Sequence, residues 1–283
     1  KITDYSDELL NFDKINWPDK TIRMQKNWIG KSSGALITFN IDSSKESVNV
    51  FTTRPDTLFG ATYMVISPEH PLLAKITTPD QKTDVEEYCT NASKKNEIQR
   101  MDTEKDKTGV FSGFYAINPA NKSKIPIWIA DYVLMGYGTG VIMAVPGHDQ
   151  RDYEFAKKYE IDIIEVVEGE NMSLEKEAYT QDGIAVNSDF LNGLSTEDAK
   201  SKMIDWLKSE NIGESNINYR LRDWLISRQR YWGTPIPIVY DPKGNPHPIP
   251  EKHLPWLLPD DVEYMPKGTS PLGSSKELVE RTE

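Results

Sequence analysis

The feature that most constrains this chain is a succession of short stretches with the two-residue repeat of β-strands. From Ala35 to Ile41 apolar side chains alternate, and after the polar turn at 42–44 a second strand-like run covers 48–51. Two such runs joined by a short polar turn predict a β-hairpin. Further strand-like runs lie at residues 62–66, 110–117, 127–130, 140–145, 163–167 and 183–186, mostly bounded by Gly, Pro, Asn or Asp. So many short strands predict a barrel-like sheet.

Helical patterns interrupt these strands. The clearest runs from Ser195 to Ser209, where Ser195 can cap the first turn and the apolar residues fall on one face. Two more helices are predicted at residues 80–101 and 150–159. The fold class is therefore mixed α/β, with a β core and surrounding helices, in one domain over residues 34–217. The flanking zones, 1–33 and 218–283, differ in composition and indicate attachments to a larger protein.

Composition excludes several classes of protein. No run of about 18 apolar residues occurs and the N-terminus has no apolar signal centre, so we predict no membrane association. The single cysteine, Cys89, cannot form an internal disulfide, which suits a reducing compartment. The four histidines show no metal-ligand spacing, so no metal site is expected. A net charge of −11 excludes non-specific coating of nucleic acid, so any such contact must be local.

A polar segment, Thr-Thr-Arg-Pro-Asp-Thr, follows the second predicted strand at residues 52–57. Pro55 disfavours helix at Arg54, so the strand must turn here and present three hydroxyls, a guanidinium and a carboxylate together. Hydroxyls can orient a water molecule, and an arginine can hold a carboxylate or a phosphate. The alternative is a structural turn in which the threonines cap the backbone and Arg54 pairs with Asp56.

A second segment places glycines before an apolar strand and carboxylates after it. Residues 137–140 read Tyr-Gly-Thr-Gly, and the glycines let a ligand approach the backbone closely. After the strand, a Pro-Gly turn leads into a helix with Asp149 and Asp152 on one face, near the N-terminus, where carboxylates stay ionised. Such a carboxylate can hold an ammonium group. In the alternative, Asp149 is only an N-cap, Asp152 is a first-turn surface charge, and His148 is structural.

A third segment, residues 220–233, interleaves four arginines with aromatic residues. Such a pattern can contact phosphates and stack on bases, and an amphipathic connecting helix is the alternative.

Taken together, these segments resemble the bacterial-type leucyl-tRNA synthetases. The resemblance rests on Thr-Thr-Arg-Pro-Asp-Thr-Leu-Phe-Gly-Ala-Thr-Tyr at 52–63, Tyr-Gly-Thr-Gly at 137–140, and Met-Ala-Val-Pro-Gly-His-Asp-Gln-Arg-Asp-Tyr-Glu-Phe-Ala at 143–156. Residues 27–32 resemble the connector that leads into the editing domain of those enzymes. Residues 223–233 resemble the return into their catalytic core. The likeness thus extends over nearly the whole chain.

The resemblance implies a β-barrel-like editing core, of the type found in the valyl, isoleucyl and leucyl enzymes, at 34–217. Residues 1–33 would be the connector from the catalytic body and 218–283 the return segment. The implied activity is hydrolysis, by water, of the ester between a non-cognate amino acid and tRNA(Leu). The implied partners are the 3′ acceptor end of tRNA(Leu), that ester, and the rest of the synthetase in cis, in the cytoplasm. Editing would need no cofactor, whereas ATP and magnesium would serve only the full-length leucine–tRNA ligase.

The resemblance also implies roles for named residues. Asp152 would hold the α-ammonium group, while Thr52 and Thr53 would line the reacting carbonyl and the water. Thr57 would shape the side-chain pocket and Arg54 would support the loop. The remaining residues expected to bind substrate are Tyr137, Gly138, Thr139 and Gly140 for the terminal adenosine, Met143 beside the ester, and His148 and Asp149.

Two other functions stay open at this point. One is a valyl- or isoleucyl-type editing hydrolase, since those domains share Thr-Thr and Gly-Thr-Gly, although the run at 146–153 is similar to the leucine enzyme in particular. The other is an inactive tRNA-acceptor-binding module, against which the retained Thr52, Thr53, Thr57 and Asp152 argue. His-Ile-Gly-His and Lys-Met-Ser-Lys-Ser, the two ATP-site signatures of class I synthetases, do not occur in the sequence. We therefore expect no amino acid activation by this chain.

Overall fold

The computed structural model describes residues 1–93, 95, 100, 107–135, 138–169, 173–224, 231, 233, 235–243, 245–264 and 271–282. The chain divides into two compact units. The larger is Lys26–Arg220, and the smaller combines Lys1–Gln25 with Leu221–Glu283.

A seven-stranded sheet forms the centre of the larger unit within the described residues. Its strands are β1 (Lys31–Ile41), β2 (Ser47–Thr52), β3 (Tyr63–Ile66), β4 (Val110–Ile117), β5 (Lys124–Ile129), β6 (Val141–Ala144) and β9 (Gly213–Tyr219). The order is β2-β1-β4-β5-β3-β6, with β9 also paired to β1. Only the β3–β5 pair is parallel among these pairings. Because β2 and β6 end the order yet lie side by side, the sheet curls into the predicted barrel-like form.

The predicted hairpin is confirmed as the antiparallel pair β1–β2. In β1 the apolar residues Ile37, Phe39 and Ile41 are all buried, whereas the residues between them are more exposed. Ile37 lies opposite Val50 in the partner strand. Alternation therefore placed one face of this hairpin in the core, as the two-residue period requires.

Five α-helices are present among the described residues: α1 (Asp19–Ile29), α2 (Lys82–Ser93), α3 (Gln150–Lys158), α4 (Thr196–Ser209) and α5 (Lys276–Thr282). The predicted helix at 195–209 is confirmed, because the Ser195 hydroxyl accepts a hydrogen bond from the amide of Asp198 and α4 begins at the next residue. The predicted helix at 80–101 begins later, at Lys82, after a 3-10 turn at Pro79–Gln81. Residues 94, 96–99 and 101 of that prediction lie outside the described residues.

The strand predicted at 163–167 is wrong for most of its length. Only Val167–Glu168 (β7) is a strand, and it pairs with Ile184–Ala185 (β8). The amides of Val166 and Val167 donate to Nε2 of His148, at 2.9 and 3.1 Å, so an imidazole binds these two donors in place of strand carbonyl groups. Strand β9, in contrast, was not predicted. It is largely polar and exposed, so it lacks the apolar alternation by which strands are recognised in a sequence.

The smaller unit holds α5 and a hairpin of β10 (Ile238–Tyr240) and β11 (Pro246–Pro248). Its two chain segments are joined by Asp223, whose Oδ1 accepts from the amide and the hydroxyl of Thr3. Residues 225–230 and 232 of the arginine-rich segment lie outside the described residues. No helix in the described part of the chain is long and apolar enough to cross a membrane.

Candidate functional site

The segment after β2 is a tight turn held by its own side chains. The Thr52 hydroxyl accepts from the amide of Arg54 at 3.0 Å. The carbonyl oxygen of Arg54 accepts both the amide of Thr57, at 3.1 Å, and its hydroxyl, at 2.9 Å. From Pro55 to Gly60 the chain forms a fully buried 3-10 helix. These hydrogen bonds match the alternative interpretation, in which the threonines cap the backbone. They also fix the orientation of the Thr52 and Thr57 side chains.

Arg54 is bound within the same turn. Its Nη2 lies 2.8 Å from Oδ2 of Asp56, and its Nε lies 3.1 Å from both carboxylate oxygens. The Asp56 side chain is 1% exposed, so this is a pair with one fully buried partner. An unpaired carboxylate there would be costly, so the guanidinium is needed to stabilise the turn. Arg54 therefore supports the loop.

Thr53 is the exposed member of the segment. It lines a cleft of about 660 Å³ together with Pro55, Lys200 and Ile204. The backbone beneath it depends on Gly34, because a Cβ at that position would lie 2.0 Å from the carbonyl oxygen of Thr52. Gly34 is not among the predicted site residues, although a glycine inside a strand pattern is a sign of close backbone approach.

The helix α3 brings Asp149 and Asp152 into place after β6. Asp149 is the N-cap, and its Oδ1 accepts from the amides of Arg151 and Asp152 at 2.9 and 3.2 Å. Arg151 also pairs with it, Nη2 to Oδ2 at 3.2 Å. Asp149 is thus engaged as a helix cap.

Asp152 is not the first-turn surface charge of the alternative interpretation. It is only 5% exposed, and its Oδ2 accepts from the amide of Val145 at 2.8 Å. Burial raises the pKa of its carboxyl group to about 8, and the nearby charge of Asp149 adds to the effect, while the Val145 amide and Arg151 oppose it. The expectation that this group stays ionised is corrected accordingly, because desolvation outweighs the helix terminus.

Tyr63 fixes the position of Asp152 from beneath. Its hydroxyl donates to the backbone carbonyl of Asp152 at 3.0 Å, and the Tyr63 side chain is fully buried. Its ring stacks on Phe155 of α3, with centroids 5.2 Å apart. Residues 62–66 are predicted as a strand, but no local pattern indicates this contact, because it depends on a helix distant in the chain.

His148 uses both ring nitrogens for backbone groups. Nδ1 lies 2.9 Å from the carbonyl oxygen of Tyr179, and Nε2 accepts from Val166 and Val167. Burial lowers the pKa of the imidazole, so the neutral ring with its proton on Nδ1 fits these partners. His148 thus ties two loops to the start of α3 and has no nitrogen left for a substrate.

The glycine-rich loop precedes β6. Gly138 and Gly140 have φ angles of +62° and +74°, which glycine adopts without strain. A Cβ on Gly138 would meet nothing closer than Phe51, at 3.8 Å, so the residue is open to one side. Tyr137 lies outside the described residues. Met143, within β6, is 7% exposed and pairs with Met64 of β3.

The structure brings these segments together around β6. Gly138 lies next to Phe51 at the end of β2, and Val145 lies against Gly60 at the end of the 3-10 helix. Val166, whose amide donates to His148, also lies against Gly60, which links the 3-10 helix after β2 to the segment around His148. Among the described residues, no group of three or more His, Cys, Asp and Glu side chains could hold a metal ion.

Comparisons with known proteins agree with this arrangement. A family model for class I tRNA synthetases (I, L, M and V) matches residues 193–252, and one for the editing domain of leucyl-tRNA synthetase matches residues 26–208. The chain belongs to the class I aminoacyl-tRNA synthetases. Within that class it belongs to the leucyl-tRNA synthetases, and it contains their editing region.

Individual relatives give the same result. A leucine–tRNA ligase from Elusimicrobium minutum (strain Pei191) is 57% identical over 282 residues, covering 99% of this chain and 34% of the relative. A crystal structure of LeuRS (agnB2) from Agrobacterium radiobacter K84, in a ternary complex with tRNA and LeuAMS, has a TM-score of 0.68 and 32% identity, covering 96% of this chain and 31% of that one. The chain thus spans about a third of the length of these relatives.

Proposed function

We propose that the unit Lys26–Arg220 hydrolyses the ester bond between a non-cognate amino acid and the 3′ end of tRNA(Leu). The observation that supports this most is the buried carboxyl group of Asp152 in an editing domain, which is bonded through one oxygen to the Val145 amide. A cation placed beside a buried carboxyl group favours its charged form. An amino acid esterified to tRNA still has its α-ammonium group free, so the ester supplies such a cation.

The raised pKa of Asp152 gives this role a further property. Near neutral pH the empty site holds a large fraction of the protonated acid, because the pKa of its carboxyl group is about 8. An ammonium group placed beside it would favour the charged form. Binding of the substrate would therefore release a proton from Asp152, and the ionised carboxylate would then hold the amino end of the ester.

The other residues would orient the ester and the attacking water. Thr53, exposed beside the cleft, and Thr52 would line the carbonyl and the water, while Thr57 would form the wall of the side-chain pocket. The backbone of Gly138, Thr139 and Gly140, with Tyr137, would meet the terminal adenosine. Met143 would bring main-chain groups close to the ester, and Arg54, His148 and Asp149 would hold the turns in place.

Catalysis in this scheme comes from positioning and polar stabilisation. His148 cannot act as a general base, because both of its ring nitrogens are bonded to backbone groups. Asp152, once paired with an ammonium group, is a weak base. Holding water and ester in reactive geometry accounts for large rate factors without a nucleophilic side chain, and the neighbouring ribose hydroxyl could help to position the water.

A hydrolytic second step has a physical reason. An apolar pocket distinguishes side chains that differ by one methylene by only about 1–3 kcal/mol, a limit known from the isoleucine and valine synthetases. A separate site that hydrolyses the wrong product multiplies that selectivity. The proposal assigns no cofactor to this step. It assigns ATP and magnesium to the rest of the synthetase in cis, and the cytoplasm as the compartment.

The test is deacylation of Ile-tRNA(Leu) and Leu-tRNA(Leu) by the wild-type chain and by Asp152→Asn. Asparagine keeps an oxygen that can accept from Val145 but removes the charge, so hydrolysis of the isoleucyl ester should fall at least about 30-fold, as expected for loss of a buried charge pair. Asp205→Asn, at an exposed position of α4, is the matched control and should leave the rate unchanged.

Three results would count against the proposal. If the wild-type protein does not hydrolyse Ile-tRNA(Leu), the proposed hydrolase activity is refuted. If Asp152→Asn hydrolyses this ester at the wild-type rate, the proposed ammonium-binding role of Asp152 is refuted. Faster hydrolysis of the leucyl than of the isoleucyl ester would reverse the assigned selectivity.

A further inference from the structure

Helix α4 forms one side of the cleft beside Thr53. The helix packs against the 3-10 helix Pro55–Gly60 and against strand β9. Its buried residues are Thr196, Ala199, Met203 and Leu207. Lys200 and Ile204 each follow one of these buried residues, and their i, i+4 spacing places them on one face of the helix. Both side chains line the cleft.

Strands β1 and β9 form another side of the same cleft. They are antiparallel, and Gly34 of β1 lies opposite Asn216 of β9. Ser33, Ser215 and Ile217 line the cleft together with these two residues. The serine hydroxyls and the asparagine amide can donate hydrogen bonds to an anion. This side of the cleft is therefore polar but uncharged.

Lys200 is the one charged side chain among the described residues that line the cleft. The chain as a whole has a net charge of −11, so a cation beside Thr53 with no acidic residue in the same lining stands out. Glu197 precedes Lys200 by three residues, a spacing that permits an ion pair on a helix. Within the part of the chain that the structure describes, however, Lys200 has neither a salt bridge nor a hydrogen bond. Its ammonium group is available to an anion from outside the chain.

The substrate of the proposed function carries one kind of anion. Its amino acid has a free ammonium group and an esterified carboxyl group, so its negative charges are the phosphodiester groups of the tRNA strand. Lysine binds phosphate as a point charge on a flexible stem. Lys200 and Thr53 line one cleft, and Thr53 is among the residues proposed to line the reacting carbonyl. A strand that ends at Thr53 therefore brings its phosphate groups towards Lys200.

We propose that Lys200 binds a phosphodiester group of the tRNA 3′ strand, close to the ester, and so holds the strand in the cleft beside Thr53. The inference rests on the proposed function, because it takes the 3′ end of tRNA(Leu) as the occupant. It is also the kind of local contact to which an acidic chain is limited. The affinity that such a contact adds should fall as the salt concentration rises.

The test measures binding without hydrolysis. The probe is an uncharged RNA hairpin with the acceptor stem of tRNA(Leu) and its single-stranded 3′ end, and its Kd is measured over a series of salt concentrations. A second hairpin lacks the single-stranded nucleotides. Lys200→Gln removes the charge with a residue that favours helix, and Lys200→Arg keeps the charge. The matched control is Lys45→Gln, because Lys45 is exposed in the turn between β1 and β2, at the end of the hairpin remote from Thr52.

Lys200→Gln should bind the complete hairpin about 3- to 10-fold more weakly, as expected for one lost hydrogen-bonded contact. The slope of log Kd against log salt concentration should decrease by about 0.7, the value for one phosphate contact on a single strand. Lys200→Arg and Lys45→Gln should match wild type, and all four proteins should bind the truncated hairpin alike. In hydrolysis of Ile-tRNA(Leu), Lys200→Gln should raise KM and leave kcat unchanged, because the contact is the same before and during the reaction.

Equal affinity and equal slope for wild type and Lys200→Gln would overturn the inference, as would a wild-type chain with no measurable affinity for the complete hairpin. An equal loss on the truncated hairpin would place the contact elsewhere on the RNA, and an equal loss in Lys45→Gln would reduce the effect to net charge; either result also overturns it. If Lys200→Gln fails to fold, Lys200→Met replaces it with the same expected result. A wild-type chain that binds the hairpin but does not hydrolyse Ile-tRNA(Leu) would refute the proposed function and leave the Lys200 contact standing.

Discussion

The Asp152 carboxyl group illustrates how burial sets the chemistry of a single residue. Removal from water disfavours the charged form, and Asp149 on the same helix face adds repulsion, so the pKa of Asp152 rises to about 8. One hydrogen bond from Val145 offsets only part of this. The ionised form of Asp152 is therefore disfavoured until a cation binds beside it, as expected of a site for an ammonium group.

This shift predicts a pH dependence of stability. In the unfolded chain Asp152 ionises near its ordinary pKa of 3.8, but in the folded protein it ionises only near 8. Between these values the folded state binds the additional proton, so the contribution of Asp152 to stability falls as pH rises from about 4 to about 8. Asp152→Asn removes this slope. Its melting temperature relative to wild type should increase from pH 5 to pH 8.

Thermal unfolding of both proteins across that range provides the measurement, with Asp205→Asn as the control for loss of one surface charge. A difference in melting temperature between Asp152→Asn and wild type that stays constant with pH would show that the carboxyl group of Asp152 ionises normally in the folded protein.

Thr57 is the residue that we expect to exclude leucine. Its hydroxyl is committed to the Arg54 carbonyl and its side chain is buried, so its methyl group is held in one orientation. A methyl overlap in a packed site costs about 1–3 kcal/mol, or roughly tenfold to a hundredfold in rate. Thr57→Ala should therefore hydrolyse Leu-tRNA(Leu) faster by that factor, and the bulky Thr57→Tyr should block both the isoleucyl and the leucyl ester.

Thr57→Val separates shape from hydrogen bonding, because valine keeps the branched shape without the hydroxyl. We expect it to reject leucine as wild type does, with a loss of about 1 kcal/mol in stability from the missing turn bond. If folded Thr57→Ala still rejects leucine, Thr57 does not form the wall of the side-chain pocket. If Thr57→Val hydrolyses the leucyl ester, the rejection of leucine depends on the Thr57 hydroxyl and not on the branched shape.

At the scale of elements, the Thr52–Thr57 turn depends on how closely strand β1 approaches the end of β2. The two backbones meet at Gly34, where a Cβ would lie 2.0 Å from the Thr52 carbonyl oxygen and 3.0 Å from the Thr53 Cα. Both neighbours are backbone atoms, so neither can rotate away. The position of the two threonines is thus set by the absence of a side chain in another strand.

Gly34→Ala should displace Thr52 and Thr53. We expect hydrolysis of Ile-tRNA(Leu) to fall by about 100-fold, the loss typical of a shift of about 1 Å in reacting groups, and stability to fall by about 1–3 kcal/mol from overpacking. Deacylation rate and denaturant unfolding measure the two effects. Gly273→Ala is the control, because a Cβ there meets nothing within 4 Å. Wild-type hydrolysis by Gly34→Ala would show that this close approach does not position the threonines.

At the scale of the whole molecule, the chain holds the editing region and only part of the synthetase. Its relatives are about three times as long, and the class I family model matches residues 193–252 alone. Neither ATP-site signature occurs in the 283 residues. Hydrolysis and amino acid activation should therefore be separable.

We predict that the chain shows no leucine-dependent ATP–pyrophosphate exchange while it deacylates Ile-tRNA(Leu). The measurement is isotope exchange with leucine and ATP, with a full-length leucyl-tRNA synthetase as positive control. Exchange above background by this chain would mean that a nucleotide site exists without the two signatures.

The sequence alone was sufficient for the elements whose patterns are local. Alternation predicted the β1–β2 hairpin, and the Ser195 cap with its apolar face predicted α4. These two predictions were correct because each pattern depends only on residues close in the chain. The strand at 163–167 was predicted wrongly, because a histidine from another segment binds the Val166 amide. Strand β9 was not predicted, because it has almost no apolar side chains that could alternate.

For the site, the sequence determined which chemical groups are present, since Thr52–Thr57 and Asp149–Asp152 each lie in one short segment. Only the tertiary structure decided their states. Asp152 became a buried acid with a raised pKa, Arg54 became a partner of Asp56, and His148 became a backbone tether. The physical reason is that desolvation and hydrogen-bond partners come from residues distant in the chain, such as Gly34 and Tyr63, and no local pattern encodes them.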